Sequence, residues 1–304
     1  MIDQIFLKEL RAACPALMVQ TDVPMSRYTT LRVGGPADCM AEPSDVEELK
    51  AALELAQRCD VPVTVVGNGS NLLVRDGGIR GLVIRFGRAF SASSTEGETI
   101  TAQGGILLSD LAQQALKAGL TGLEFASGIP GTLGGAVVMN AGAYGGEIAQ
   151  VIESAEVLSG GRILTLDREA LGLSYRHSRM QDTGELVLSA RFRLQKDDPV
   201  AIKARMEDLR VCRQDKQPLN LPSAGSFFKR PVGAYAAQLI DEAGLKGCRV
   251  GGAMVSEKHA GFLVNAGGAT ATDFLALMRQ VQETVYKNSG FRLEPEVRII
   301  GEEA

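Results

Sequence analysis

The stretch VPVTVVGNGSNLLVRDGGIRGLVIRF, residues 61–86, decides the fold class. Its first six residues form a largely β-branched run that ends at Gly67, and such a run reads as a buried strand. A classical dinucleotide-binding unit would open a helix directly after the glycine loop that follows, GNGSN at 67–71. Here the chain continues as LLVRDGGIRGLVIRF, two further strand-like runs joined by a DGG turn. The third glycine of the dinucleotide fingerprint would moreover fall on Leu72. The stretch therefore describes a glycine loop inside a β-rich domain and argues against a classical dinucleotide fold.

Around this stretch the pattern alternates between helix and strand. DVEELKAALELAQRCD (45–60) carries apolar residues at helical spacing, with Ser44 and Asp45 as start signals. SDLAQQALKAGLTGLEFASG (109–128) reads as a helix stopped by Gly119, then a loop. SGIPGTLGGAVVMNAGAYGGEI (127–148) holds seven glycines in 22 residues, too many for an ordinary helix or strand. Such density suits backbone that must approach something closely. VIESAEVLS, RILTLD and ELVLSARFRL, between 151 and 195, read as strands. PVAIKARMEDLRVCRQDKQP (199–218) reads as a connecting helix, which puts a domain boundary near residue 200. The last hundred residues mix helices (AYAAQLIDEAG, ATDFLALMRQVQETVYKNSG) with strands (GGAMVS, GFLVN, EVRIIG).

Composition limits the function classes. A chain of 304 residues has room for two or three domains. A net charge of −4 without a dense Lys/Arg cluster argues against nucleic acid as a partner. The five cysteines, Cys14, Cys39, Cys59, Cys212 and Cys248, are odd in number and include no CxxC pair. They point to reduced thiols in a cytosolic protein, with neither a disulfide framework nor a zinc site. The N-terminal MIDQIFLKELRAACPAL is charged and amphipathic, unlike a signal peptide, and no later run approaches membrane-spanning length. The expectation is a soluble cytoplasmic protein without membrane insertion.

The two glycine-rich stretches are the first functional signal. Exposed backbone N–H groups in such loops form an anion-binding concavity, which a helix N-terminus behind the loop would reinforce. Two loops suit the two phosphates of a dinucleotide, although GNGSN alone equally describes a tight turn. AGSFFKRP (224–231) raises a different question, because a nucleophilic serine normally needs a base. The chain holds only His177 and His259. By local sequence Ser226 is as readily a turn or capping serine, Arg176 a surface ion-pairing residue, and Glu296 part of a solvated turn.

Six motifs, in this order, carry a resemblance: YTTLRVGGPA (28–37), VVGNGSNLLV (65–74), GLEFASGIPGTLGGAVVMNAGAYGGEI (122–148), SYRHS (174–178), AGSFFKRP (224–231) and LEPEVRIIG (293–301). Together they resemble the UDP-N-acetylenolpyruvoylglucosamine reductases of bacterial peptidoglycan synthesis, from about residue 20 to the C-terminus. The short segment between SYRHS and AGSFFKRP, and Arg230 in place of asparagine, resemble the subgroup that lacks an extra tyrosine-bearing loop.

The resemblance implies an α+β fold with a two-lobed FAD-binding region of the PCMH type over 1–200 (lobes about 1–80 and 81–200). A smaller α+β substrate-binding domain would then occupy 201–304. It implies non-covalent FAD, with NADPH as hydride donor, and the absence of histidine before residue 177 agrees. The implied activity is a UDP-N-acetylmuramate dehydrogenase that reduces UDP-N-acetylglucosamine enolpyruvate, with the hydride delivered to C3. The expected state is a monomer. The implied cofactor residues are Tyr28, Thr29 and Thr30; Gly67, Asn68, Gly69, Ser70 and Asn71; Ser127, Gly128, Ile129, Pro130, Gly131 and Thr132; and Asn140, Ala141, Gly142, Ala143, Tyr144 and Gly145.

Hydride arrival at C3 leaves negative charge at C2, conjugated with the substrate carboxylate. Arg176 fits the stabilisation of that charge, since a guanidinium can grip a carboxylate with two parallel bonds. Glu296 suits a site beside an anion only with a raised pKa or a shared proton. Ser226 fits as proton donor to C2: a hydroxyl is a weak acid, but a carbanion is a base strong enough to deprotonate it, and no histidine is then required. Tyr175, Lys216, Arg230 and Asn265 are candidates for holding the rest of the substrate, with Lys229 beside them. His259 is a candidate for lining the site, whereas His177 and the two phenylalanines 227 and 228 read as structural. Two other readings stay open on the residues alone: a PCMH-type flavoprotein oxidase, and a non-catalytic nucleotide-binding protein.

Overall fold

In the computed structural model, which describes residues 3–304, the stretch 61–86 supplies two strands to a four-stranded sheet. Helix Val46–Arg58 precedes it, capped where Asp45 accepts a 2.9 Å hydrogen bond from the Glu48 N–H. It buries Leu49, Ala52, Leu55 and Ala56, the positions its apolar spacing marks. Strand Val63–Val66 then pairs in parallel with Ile79–Arg85, which pairs in parallel with Pro36–Glu42, and Met18–Pro24 closes the sheet in antiparallel fashion.

One expectation fails here. Leu72–Val74 does not form a hairpin with Ile79–Arg85; it pairs in parallel with Arg298–Ile300 from the far end of the chain. The DGG segment is a corner that receives the C-terminus: the Gly77 N–H donates to Glu302 O and the Glu302 N–H donates to Gly78 O. A Cβ on Gly78, at φ +84°, would lie 1.9 Å from the Pro36 carbonyl oxygen. A short apolar run announces a strand but not its partner, so local sequence could not show this pairing.

A second, five-stranded antiparallel sheet runs in the order Arg162–Asp167, Ile152–Ser159, Leu186–Arg193, Thr99–Gln103, Ser93–Glu96. Helices Leu108–Lys117 and Leu133–Val138 pack on it, and so does Pro199–Lys216 through Ile202 and Met206. That last helix shares the second sheet's core, so we propose that the third unit begins after Lys216 and not near residue 200. Ile79–Arg85 belongs to the first sheet, and on that ground we also propose a division between the lobes beyond residue 80.

The third sheet orders Ser223–Ser226, Phe262–Asn265, Ala253–Val255 and Arg249–Val250, backed by helices Ala236–Glu242 and Ala271–Ser289. Its core takes in Leu31, Val33 and Leu73 from the first lobe. Asp76, also from the first lobe, accepts from the N–H groups of Ala271 and Thr272 at 2.8 Å and from Thr272 Oγ1 at 2.6 Å. The first lobe and the third unit are thereby bonded together, and the cleft opens between them and the second lobe.

Among the described residues no helix is long and apolar enough to cross a membrane, and no cluster of His, Cys, Asp or Glu could hold a metal ion. All five cysteines are unpaired.

Candidate active site

The two glycine-rich stretches face each other as walls of one cleft of about 660 Å³. Asn68 Nδ2 donates to Pro130 O at 2.6 Å, and a Cβ on Gly67 would lie 2.2 Å from Thr132 Oγ1. Side chains at these glycines would close the gap between the walls. Behind the first loop sits the 28–30 segment: the Thr30 N–H donates to Gly69 O at 3.2 Å, and a Cβ on Gly69, at φ +61°, would lie 1.9 Å from Tyr28 O. Thr29 is buried and donates through Oγ1 to Val33 O at 2.8 Å. Thr30 Oγ1 is buried without a partner. No helix stands behind the first loop, because the chain continues there as a strand. Anion affinity in this loop must come from its own N–H groups.

The cleft is lined by residues 67–71, 129–132, 134–136 and 141–143, together with Arg176, Ser226 and Glu296. The structure thus brings together all three predicted catalytic residues and most of the predicted cofactor residues. Tyr28, Thr29, Thr30, Ser127, Gly128, Asn140, Tyr144 and Gly145 stand outside the lining.

Ser226 ends strand Ser223–Ser226 with its side chain exposed at the cleft, while Phe227 and Phe228 turn into the core. Phe227 stacks on Phe274 with ring centroids 6.3 Å apart. Gly225 adopts φ +77° with open space where a Cβ would be, so the glycine serves the left-handed backbone. The segment after Ser226 pairs with the one that carries Glu296: the Glu296 N–H donates to Phe227 O at 2.9 Å, and the Lys229 N–H donates to Glu294 O at 2.8 Å. Backbone pairing in this way joins the segments that carry Ser226 and Glu296, far apart in sequence, at one wall of the cleft.

Arg176 reaches the same point from the second lobe. Its Nε donates to Glu296 Oε1 at 2.6 Å and its Nη2 to Gly142 O at 3.2 Å. Burial pushes the Glu296 carboxyl above the usual carboxylate range, and the opposing pull of Arg176 and Lys229 does not cancel it. The site therefore holds a carboxyl whose proton affinity burial raises, beside a fixed cation.

The substrate candidates divide. Tyr175 is 54% exposed at the rim, its ring 5.3 Å from the Arg176 guanidinium, and its hydroxyl accepts from the Arg230 N–H at 3.2 Å. Arg230 lies 4.0 Å over the Tyr235 ring. Lys216 is exposed at the end of its helix. Asn265 is spent on the fold, donating to Leu31 O and accepting from the N–H groups of Gly267 and Ala269. His259 lies edge-on to Phe262 and lines a separate open groove with Lys246 and Lys258, outside the main cleft. His177 is half-exposed and pairs with Asp182 at 3.2 Å.

Sequence reasoning missed Arg213, Gln181 and Arg298, all of which line the cleft. Arg213 has no carboxylate partner among the described residues, lies 5.8 Å from the Tyr144 ring, and burial lowers its pKa. It sits in a charged helix whose pattern resembles a solvated face, so nothing local marked it.

Comparison with known proteins agrees with this geometry. Residues 217–300 match the family model described as UDP-N-acetylenolpyruvoylglucosamine reductase, C-terminal domain, and residues 37–167 match that of an FAD binding domain. The UDP-N-acetylenolpyruvoylglucosamine reductase of Agathobacter rectalis is 52% identical over 314 residues, covering 99% of this chain and all of the relative. That of Levilactobacillus brevis is 52% identical over 300 residues, covering 98% of each. Among solved structures, UDP-N-acetylenolpyruvylglucosamine reductase from Thermus caldophilus superposes with a TM-score of 0.80 at 40% identity, covering 93% of this chain and 98% of the other.

Proposed function

The chain belongs to the UDP-N-acetylenolpyruvoylglucosamine reductase family, and from that premise we propose that it reduces UDP-N-acetylglucosamine enolpyruvate to UDP-N-acetylmuramate, using FAD and NADPH. The observation that carries the reading is the meeting of Arg176, Glu296 and Ser226 at the cleft walled by the two glycine loops.

The residues present fit FAD. Facing loops in which Gly67, Gly69 and Gly142 leave no room for a Cβ, and the unpartnered Thr30 Oγ1 behind one of them, supply backbone and hydroxyl donors for a long anionic cofactor. Residues 67–71, 129–132 and 141–143 would hold it. When bound, FAD supplies the hydride chemistry that links NADPH to C3 of the enolpyruvyl group.

The protein's own task is to manage charge and protons. Arg176 grips the substrate carboxylate with charge-assisted bonds as negative charge builds at C2. Glu296, its proton affinity raised by burial, stands beside that charge. Ser226 donates its hydroxyl proton to C2, a step that requires no histidine base. Arg213, which lines the cleft, and the exposed Tyr175, Arg230 and Lys216 offer donors for the diphosphate. A cytoplasmic monomer that takes its reductant and sugar nucleotide from solution completes the proposal, and five unpaired cysteines support the reducing compartment.

Stopped-flow spectroscopy tests it. The pure protein should show flavin absorbance that NADPH bleaches and the enolpyruvyl sugar nucleotide restores. Ser226→Ala should leave the bleaching intact and slow the restoration by about 10²–10⁴-fold, the span of general acid catalysis. Restoration within a few-fold of wild type would remove Ser226 as the proton donor.

A further inference from the structure

Arg176 occupies the third position of a tight turn, residues 174–177, closed by the Ser174 N–H to His177 O at 3.0 Å and the His177 N–H to Ser174 O at 3.2 Å. Its φ of +55° is left-handed, which costs a residue with a Cβ about 1–2 kcal/mol. A backbone held in such a conformation persists only where its surroundings over-determine it.

Three side chains do so here. Gln181 donates from Nε2 to Arg176 O at 3.0 Å and to Val138 O at 2.8 Å, so both amide hydrogens are used. Asn140, 1% exposed, donates to Ser174 O at 3.0 Å and accepts from the Ala149 N–H at 2.9 Å. Ser178, fully buried, donates to Val138 O at 2.7 Å. Val138 and Asn140 belong to the glycine-rich segment that walls the cleft, as does Gly142, whose carbonyl receives Arg176 Nη2. The turn is therefore pinned on both sides to that wall. Asn140, expected at the cofactor, gives its Nδ2 to this pinning and uses its Oδ1 to accept from the Ala149 N–H.

We propose that Gln181 and Asn140 are positioning residues, which hold the 174–177 turn so that the Arg176 guanidinium faces the substrate carboxylate; the inference rests on the function proposed above. Carboxylate recognition by guanidinium depends on two parallel bonds, and a misplacement of about 1 Å forfeits much of it. Loosening the turn should consequently weaken ligands that carry the carboxylate and spare those that lack it. General damage to the fold would weaken both alike.

The test uses the holoenzyme and two ligands: UDP-N-acetylmuramate, which has the carboxylate, and UDP-N-acetylglucosamine, which does not. Gln181→Met keeps the side-chain length and removes both donors. Its Kd for the carboxylate ligand should rise about tenfold, equivalent to the loss of one charge-assisted bond, while Kd for UDP-N-acetylglucosamine stays within about twofold. Gln181→Glu, which also lacks donors, should show the same selective loss. In an Arg176→Lys background the Gln181→Met change should add nothing further, because the two act through one contact. Parallel weakening of both ligands, full retention of both, or an additive loss in the Arg176→Lys background would overturn the inference while leaving the enzyme's function standing. Equal wild-type affinity for the two ligands would instead overturn the functional reading, and this inference with it.

Discussion

Replacing Arg176 by alanine removes the cation that faces Glu296 at 2.6 Å, in a place where the Glu296 side chain is only 12% exposed. Alanine keeps the Cβ, so the strain of the left-handed backbone is unrelieved; the change removes the ion pair together with the bond to Gly142 O, and of the two only the ion pair responds to pH. An ionised, unpaired buried carboxylate costs about 3–5 kcal/mol, but Glu296 can escape by taking a proton. Burial already raises its pKa with Arg176 present, and without Arg176 only Lys229 still opposes that rise. The sign follows from linkage. A carboxyl whose folded pKa is raised contributes stability that is complete below its unfolded value, near 4.5, and is lost as pH rises through the folded value. The variant's deficit must therefore grow with pH, by at most about 1.36 kcal/mol per unit. It should be larger at about pH 8 than at about pH 5, just above the unfolded value near 4.5. Urea unfolding of wild type and variant at both pH values measures it, and a Glu296→Gln background supplies the control, in which the deficit should no longer depend on pH. A deficit equal at the two pH values, or a pH dependence that survives in the Gln background, would refute the argument.

Two further outcomes follow from the packing. Gly69→Ala puts a Cβ 1.9 Å from the Tyr28 carbonyl oxygen and must displace the first glycine loop. The purified variant should therefore lose most of its flavin absorbance relative to protein. Gly97→Ala, at a similar φ of +58° but in open space, should bear only the backbone strain of about 1–2 kcal/mol and keep its flavin; equal retention by both would sink the idea. Asp76→Ala should destabilise the protein by about 1 kcal/mol, the usual loss for a helix cap, read as a lower Tm near neutral pH. Burial pulls the Asp76 carboxyl up, yet hydrogen bonds from Thr272 Oγ1 and the N–H groups of Ala271 and Thr272 outweigh it and hold the pKa low. Its stabilisation is thus present above the unfolded value, near 3.8, and the gap between variant and wild type should close as pH falls through the folded one.

Local order was legible wherever its cause was local. The helix Val46–Arg58, the three strands of 152–193 and the capped helix Ala271–Ser289 follow from apolar period and start signals that lie within a turn of each element. Errors arose where the partner was remote. Leu72–Val74 reads as half of a hairpin and joins the C-terminal strand, whereas Pro199–Lys216, a connecting helix by its sequence, is a helix that packs on the second core. Asn265, a candidate for holding the substrate, makes its amide hydrogen bonds with Leu31 O and the Gly267 N–H, partners that its local sequence does not announce.

By itself, the sequence determined the chemistry on offer: two glycine loops able to bring backbone close to an anion, one guanidinium, one carboxyl and one hydroxyl in motifs shared with a single family, and too few histidines for a serine nucleophile. Tertiary structure alone decided which of these groups meet. The Glu296 N–H on the Phe227 carbonyl joins the segment that carries the carboxyl to the one that carries the serine, and the pinned 174–177 turn swings Arg176 across from the other lobe. Burial at that junction then raises the Glu296 pKa. Composition and spacing report what each residue can do over a few neighbours, whereas desolvation and ion pairing depend on atoms brought together from distant parts of the chain.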